Sequence, residues 1–261
     1  MSVVIEGPPE GIPYLLVHGF TGAGARWGRP LLEGLAEAGL VRAVDLPGHG
    51  PKSDDWQPDD LQWDRVVDGL VAELDEAGIR RAHWIGYSMG GRLALAAALT
   101  YPERVATLTL ESASPGLETA RDRAARRARD GALAQAILER GVPWFVDFWA
   151  SLPLFRTQAA LPAQVLERIR QGRLAHSAAV LAASLRGLGT GTQPSYWPRL
   201  GKLAPPTLLL SGAKDRKFEA LARQMTSAIP RATHRSIPGA GHTLHLEAPQ
   251  EWADALRLFT R

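Results

Sequence analysis

Three polar residues, far apart in the chain, have the types that together make a serine hydroxyl reactive. Ser88 stands in Gly86-Tyr87-Ser88-Met89-Gly90, Asp215 in Ser211-Gly212-Ala213-Lys214-Asp215, and His242 closes Pro238-Gly239-Ala240-Gly241-His242. A serine hydroxyl is a poor base or nucleophile until a histidine accepts its proton and a carboxylate orients the imidazole. The G-x-S-x-G pattern puts the serine on a sharp turn between a strand and a helix, with the acid and then the histidine following along the chain. Ala82-His83-Trp84-Ile85 reads as the buried strand and residues 88–101 as the helix. The glycines are needed because the turn is strained and the serine must stand clear of neighbouring side chains.

Other residues compete for these roles. Glu111, at the end of another apolar run, is the rival acid, and a structural contact is the better expectation for it. His18 precedes the glycine turn Gly19-Phe20-Thr21-Gly22 and His49 sits in Gly48-His49-Gly50, so both are expected to support local backbone. His245 and Glu247 read as surface or supporting residues. An oxyanion hole needs two backbone N–H groups aimed at one point, here expected from Met89, after the serine, and from Phe20.

The elements that must position these groups alternate. Residues 14–18, 40–46, 82–85, 105–111, 207–210 and 233–237 read as strands; 30–38, 61–77, 218–229 and 249–259 read as helices between or after them. Strands alternating with helices predict one α/β unit, with a mostly parallel central sheet covered by helices on both faces. Catalytic groups in such sheets gather outside the carboxyl ends of the strands, where Ser88, Asp215 and His242 all fall. Residues 117–190 contain no convincing strand and read as an inserted helical cap, which leaves 1–116 and 191–261 as the core.

Composition bounds the function. With 261 residues, 45% hydrophobic and 22% charged, the chain can bury one large core. No apolar run reaches the length of a membrane span, and residues 1–11 lack a charged segment followed by an apolar one, so a cytoplasmic protein without integral membrane association is expected. The absence of cysteine excludes disulfides and thiolate chemistry. A net charge of +3 is too small to argue for nucleic acid.

That charge is uneven. Residues 117–190 hold eleven Arg against six Asp/Glu, an excess of five, so the remainder carries −2 of the total of +3. Arg121, Arg123, Arg126, Arg127 and Arg129 crowd one stretch, and Arg168, Arg170 and Arg173 another; a solvated helix face accounts for most of them. Arg92 differs, because it lies one helical turn beyond Ser88, where a guanidinium suits a carboxylate or phosphate better than packing. Trp144, Phe145, Phe148, Trp149 and Phe155 supply a cap core or walls around a ring. The expected substrate is small, anionic and partly apolar.

With these residues in view the chain resembles the MenH family of α/β hydrolases, the 2-succinyl-6-hydroxy-2,4-cyclohexadiene-1-carboxylate synthases of menaquinone biosynthesis, over nearly its whole length. The resemblance rests on His18-Gly19-Phe20-Thr21-Gly22, Asp45-Leu46-Pro47-Gly48-His49-Gly50 and Gly86-Tyr87-Ser88-Met89-Gly90-Gly91-Arg92. It continues in Glu111 with Ser114-Pro115-Gly116-Leu117, in the spaced Arg123, Arg126 and Asp130, in Asp215-Arg216-Lys217-Phe218, and in Gly241-His242 with His245 and Glu247. It implies an α/β-hydrolase fold and a cofactor-independent elimination of pyruvate from 2-succinyl-5-enolpyruvyl-6-hydroxy-3-cyclohexene-1-carboxylate. A Ser88-His242-Asp215 triad would abstract a proton rather than form an acyl-enzyme. The resemblance further implies that Arg92, Arg126 and Arg170 hold substrate carboxylates, with Arg168 or Arg173 as substitutes for Arg170. Tyr87, Trp149 and Phe155 would line the pocket, and Lys217 would lie beside the triad acid. Ser114 and Thr21 depart from the family pattern, where histidine and serine can stand. The alternative carried by the same triad is a carboxylesterase or C–C bond hydrolase acting on a small acidic substrate. A non-catalytic relative would be expected to lack a triad member.

Overall fold

All four side chains of β2 (Tyr14–Val17) are buried, Leu15 and Val17 in one hydrophobic core and Tyr14 and Leu16 in another. β4 (Ala82–Tyr87) divides in the same way, with Trp84 on the first side and Ile85 on the second. Successive strand residues point to opposite faces, so a strand buried on both reads as a continuous apolar run. The computed structural model describes residues 3–50 and 56–260. In it these strands join β1 (Val3–Ile5), β3 (Val41–Val44), β5 (Val105–Glu111), β6 (Thr207–Gly212) and β7 (Ala232–Ile237) in a seven-stranded sheet ordered β1-β3-β2-β4-β5-β6-β7. Only β1 is antiparallel to its neighbour. β1 is not foreseen from the sequence, being three residues long and too short to show a period.

One face is covered by α2 (Trp63–Glu76) and α3 (Met89–Thr100), the other by α1 (Arg29–Ala36) and α9 (Pro249–Phe259). α2 buries Trp63, Val66, Val67, Leu70, Val71 and Leu74, the i, i+3, i+4, i+7 stripe of an amphipathic helix. α3 lies between the sheet and the helices beyond it, and so buries ten consecutive residues, Met89 to Ala98, of which only Arg92 is charged. α7 (Arg216–Ala228) follows β6, and the short α8 (Leu244–Glu247) precedes α9.

Between β5 and β6 the regular elements among the described residues are all helical: α4 (Ala120–Ser151), a 3-10 segment (Pro153–Ala160), α5 (Ala163–Leu174), α6 (Ala178–Leu188) and a second 3-10 turn (Trp197–Lys202). α4 breaks at Gly141, where φ is +83°, and Pro143 then removes a backbone donor. This layer is tied to the sheet side at several points. The Arg26 guanidinium donates to Arg168 O at 3.4 Å, and His176 Nε2 donates to Thr21 O at 3.1 Å. Among the described residues no helix is long and apolar enough to cross a membrane.

Candidate active site

Ser88 sits between β4 and α3 at φ +50°, ψ −107°, a conformation that L-residues with a side chain rarely adopt. The flanking glycines make that turn possible. A Cβ on Gly86 would lie 2.5 Å from Gly90 O, and one on Gly90 would lie 2.1 Å from Val17 O. The other non-glycine residues with positive φ among the described ones are Thr21, after β2, and Ser112, directly after β5. Backbone strain is therefore concentrated at the carboxyl ends of three adjacent strands, the edge on which catalytic groups of open sheets collect.

The loops after β6 and β7 complete the arrangement. His242 Nδ1 lies 2.7 Å from Asp215 Oδ2, and His242 Nε2 lies 3.2 Å from Ser88 Oγ. His242 and Asp215 are both buried. Asp215 also caps α7 by accepting the Phe218 N–H at 3.3 Å, so one carboxylate starts a helix and faces the imidazole. The His242 loop is held from behind. Glu247 accepts the N–H of Gly241 at 2.7 Å and of Thr243 at 3.0 Å, on either side of the histidine. Phe218 packs on the His242 ring at 4.6 Å between centroids, and Phe155 approaches it edge-on at 5.9 Å.

Ser88 opens into a cavity of about 240 Å³ that Phe20, Tyr87, Met89, Trp149, Phe155 and His242 also line. Arg92, Arg126 and Lys217 line it too, and among the described residues no Asp or Glu does. Arg92 is buried, donating to Leu188 O at 2.9 Å and Gln193 Oε1 at 3.2 Å, with its guanidinium 5.6 Å from the centroid of the Trp63 ring. No ion pair of Arg92 is found among the described residues, and burial, aided by Arg126, pushes its pKa down to about 9. Arg126 pairs with Asp130 at 2.8 Å, one helical turn away on α4. Burial, with Arg126 nearby, lowers the Lys217 pKa as well.

Arg170 does not join this group. It is exposed on α5, pairs with Asp147, and lines a separate cavity of about 430 Å³ inside the helical layer. The helix turns it toward α4 and away from Ser88. Arg168 is exposed as well, whereas Arg173 is buried, with its guanidinium 5.1 Å from the Phe155 ring centroid. The sequence left these three open because positions 168, 170 and 173 of one helix point in different directions, and register cannot be read without the packing.

Ser112, Ser114, Leu185, Leu188, Phe218 and Leu221 also line the cavity and were not foreseen as site residues. Of these, Phe218 left a signal inside Asp215-Arg216-Lys217-Phe218 and Ser114 inside Ser114-Pro115-Gly116-Leu117. Glu111 proves to be engaged elsewhere: it is fully buried and bonds His245 Nδ1 at 2.8 and 3.0 Å and the Trp252 indole at 2.8 Å. His18 Nδ1 donates to Gly19 O at 2.8 Å and its Nε2 accepts the Leu46 N–H at 3.1 Å, which fixes a neutral ring in a backbone-bracing role. Burial pushes its pKa down to about 4.

Residues 13–249 match the family described as alpha/beta hydrolase fold. A Bacillus subtilis protein provisionally named 2-succinyl-6-hydroxy-2,4-cyclohexadiene-1-carboxylate synthase is 40% identical over 95% of this chain and 90% of its own length. The Serratia proteamaculans protein of that name is 33% identical over 95% of this chain and 92% of its own. The structure of MenH from S. aureus superposes with a TM-score of 0.93 at 34% identity, covering 99% of this chain and 97% of the other. An esterase from Thermogutta terrifontis, with malate bound, superposes at 0.83 and 26% identity, covering 99% of this chain and 91% of the other. The fold, the strained elbow and these relatives together show that the chain belongs to the 2-succinyl-6-hydroxy-2,4-cyclohexadiene-1-carboxylate synthase family of α/β hydrolases.

Proposed function

We propose that the protein eliminates pyruvate from 2-succinyl-5-enolpyruvyl-6-hydroxy-3-cyclohexene-1-carboxylate, giving 2-succinyl-6-hydroxy-2,4-cyclohexadiene-1-carboxylate. The observation that carries this reading is the lining of the Ser88 cavity: among the described residues, three cationic side chains and no carboxylate. A substrate with three carboxylates fits such a site, whereas a neutral ester has no use for it. In the reading, His242 Nε2 accepts the Ser88 proton while Asp215 holds the imidazole. The Ser88 oxygen then takes a proton from the substrate, and as the C–O bond to the enolpyruvyl group breaks, the backbone N–H groups of Phe20 and Met89 meet the charge that develops. The His242 imidazolium gives its proton to the departing enolpyruvate, which leaves as pyruvate. No covalent acyl intermediate is required, and neither is a cofactor.

Arg92 and Arg126 are assigned to substrate carboxylates, with Lys217 beside them. On α5 we assign the same role to Arg173 in place of Arg170. It lines the second cavity with Arg170, but it is a buried guanidinium with no ion pair among the described residues and lies over Phe155, which lines the Ser88 cavity as well. A buried charge without a partner is costly, and an incoming anion relieves that cost. The segment 117–190 acts in this reading as a cap that closes the site from water, and the enzyme works in the cytoplasm on a small tricarboxylate. The test is pyruvate release measured beside p-nitrophenyl acetate hydrolysis, with Ser88→Ala as the control and spontaneous breakdown subtracted. Ser88-dependent pyruvate release with weak ester hydrolysis supports the lyase. Fast ester hydrolysis with only background pyruvate overturns it in favour of a hydrolase of acidic esters.

A further inference from the structure

Tyr87 lines the Ser88 cavity, and its hydroxyl lies 2.9 Å from Thr243 Oγ1. Thr243 Oγ1 in turn accepts the side-chain N–H of Gln158 at 2.9 Å. Thr243 and Gln158 are both buried. Thr243 follows His242, and Gln158 belongs to the 3-10 segment Pro153–Ala160 of the helical layer. The three groups therefore run from that layer, past the histidine loop, to the cavity wall.

Their proton directions are fixed by counting donors. A buried hydroxyl hydrogen needs an acceptor, and a primary amide nitrogen can only donate. Thr243 Oγ1 receives its hydrogen bond from Gln158, so its own hydrogen must go to the Tyr87 oxygen, the other polar atom it bonds among the described residues. The Tyr87 hydrogen is then directed away from Thr243, and its ring lies on the cavity wall. Burial holds the Tyr87 pKa well above the ordinary tyrosine range, so that hydrogen stays in place at neutral pH.

We infer that Gln158 is a positioning residue: through Thr243 it orients the Tyr87 hydroxyl as a hydrogen-bond donor toward an anionic oxygen of the bound substrate. The inference rests on the reading above, in which the substrate occupies the Ser88 cavity. It makes one polar property of the cavity depend on the docking of the 3-10 segment. That docking is tight, since a Cβ on Gly241 would lie 2.1 Å from Thr157 Oγ1 and the Phe155 ring meets His242. Lifting the segment removes the Gln158 donor, and Thr243 can then accept from Tyr87 instead, withdrawing the hydrogen from the substrate.

The test is a set of side-chain exchanges read as kcat/KM for pyruvate release, alone and in a Tyr87→Phe background. Gln158→Leu removes the donor at similar volume. Gln158→Glu places an acceptor there, which reverses the chain: Thr243 donates to the carboxylate and Tyr87 to Thr243. The expected result is a loss of about tenfold for Gln158→Glu, approaching that of Tyr87→Phe, and a smaller loss for Gln158→Leu. Both losses should vanish in the Tyr87→Phe background, because residues acting as one unit are not additive. Thr243→Val gives a second route should either Gln158 variant fold poorly, with a loss that also disappears without the tyrosine hydroxyl. Losses that persist undiminished in Tyr87→Phe, a Gln158→Leu loss exceeding that of Gln158→Glu, or variants all equal to wild type overturn the inference. Failure of the reading itself shows separately, as wild-type pyruvate release that does not depend on Ser88.

Discussion

The carboxylate of Glu111 lies 2.8 and 3.0 Å from Nδ1 of His245, which fixes the second buried acid at the carboxyl edge of the sheet on a histidine other than His242. Glu111 also takes the Trp252 indole N–H, and Trp27 lies 4.5 Å from the His245 ring, so the pair anchors α8 and α9 to the sheet. The two acids should separate cleanly by experiment. Asp215→Asn is expected to lower kcat by about 10³–10⁴ with little change in unfolding midpoint. Glu111→Gln is expected to cost about 2–3 kcal/mol of stability, measured by denaturant unfolding. A kcat loss from Glu111→Gln as deep as that from Asp215→Asn would reverse the assignment.

The arginines differ in environment and should differ in kinetics. Arg92→Ala and Arg126→Ala are expected to raise KM for the tricarboxylate by about tenfold or more, since each removes a charge-assisted contact. Arg173→Ala should do the same and Arg170→Ala should not, because Arg170 is exposed and paired with Asp147. Equal effects from Arg170→Ala and Arg173→Ala would show that both reach the substrate.

The elbow stores strain that a substitution can release. At φ +50° Ser88 is held where glycine is favoured, so Ser88→Gly is expected to be more stable than Ser88→Ala by up to about 1 kcal/mol, both being inactive. Thermal unfolding of the two proteins decides it; equal midpoints would mean the turn is not strained. Gly90→Ala, by contrast, meets Val17 O at 2.1 Å and should yield little folded protein.

Stability should fall in mild acid. Burial lowers the pKa of His18 and of His83 to about 4 from the ordinary histidine value of 6.5, and lowers those of His49 and His176 as well. Each group binds a proton more readily when unfolded, so its contribution is present above about pH 6.5 and is lost as pH falls, toward about 4 for His18 and His83. The unfolding free energy should drop by about 1.4 kcal/mol per pH unit for each histidine that is neutral when folded and charged when unfolded. Denaturant titrations between these limits measure the slope, and a flat profile would mean the rings are hydrated.

Much of this protein was legible in its chain because the relevant physics is local. The alternation of apolar runs with amphipathic segments located the central strands within a residue or two, since a buried parallel strand has no polar position to blur it. Gly86 and Gly90 marked the elbow because only glycine allows the backbones to come so close. The order of Ser88, Asp215 and His242, each just past a strand, implied their meeting before any distance was known.

Tertiary structure decided the rest, because it depends on which way a side chain turns and on what stands opposite. Glu111 and Asp215 look alike in sequence, each an acid at a strand end, and only the packing of β5 against α8 and α9 gives the first to His245. Arg168, Arg170 and Arg173 share one helix, and its docking alone buries Arg173 and leaves the others in solvent. Gln158, Thr243 and Tyr87 have no sequence relation at all. They form a chain because the segment after α4 folds over the histidine loop, and a hydrogen bond exists only once both partners are held within about 3 Å.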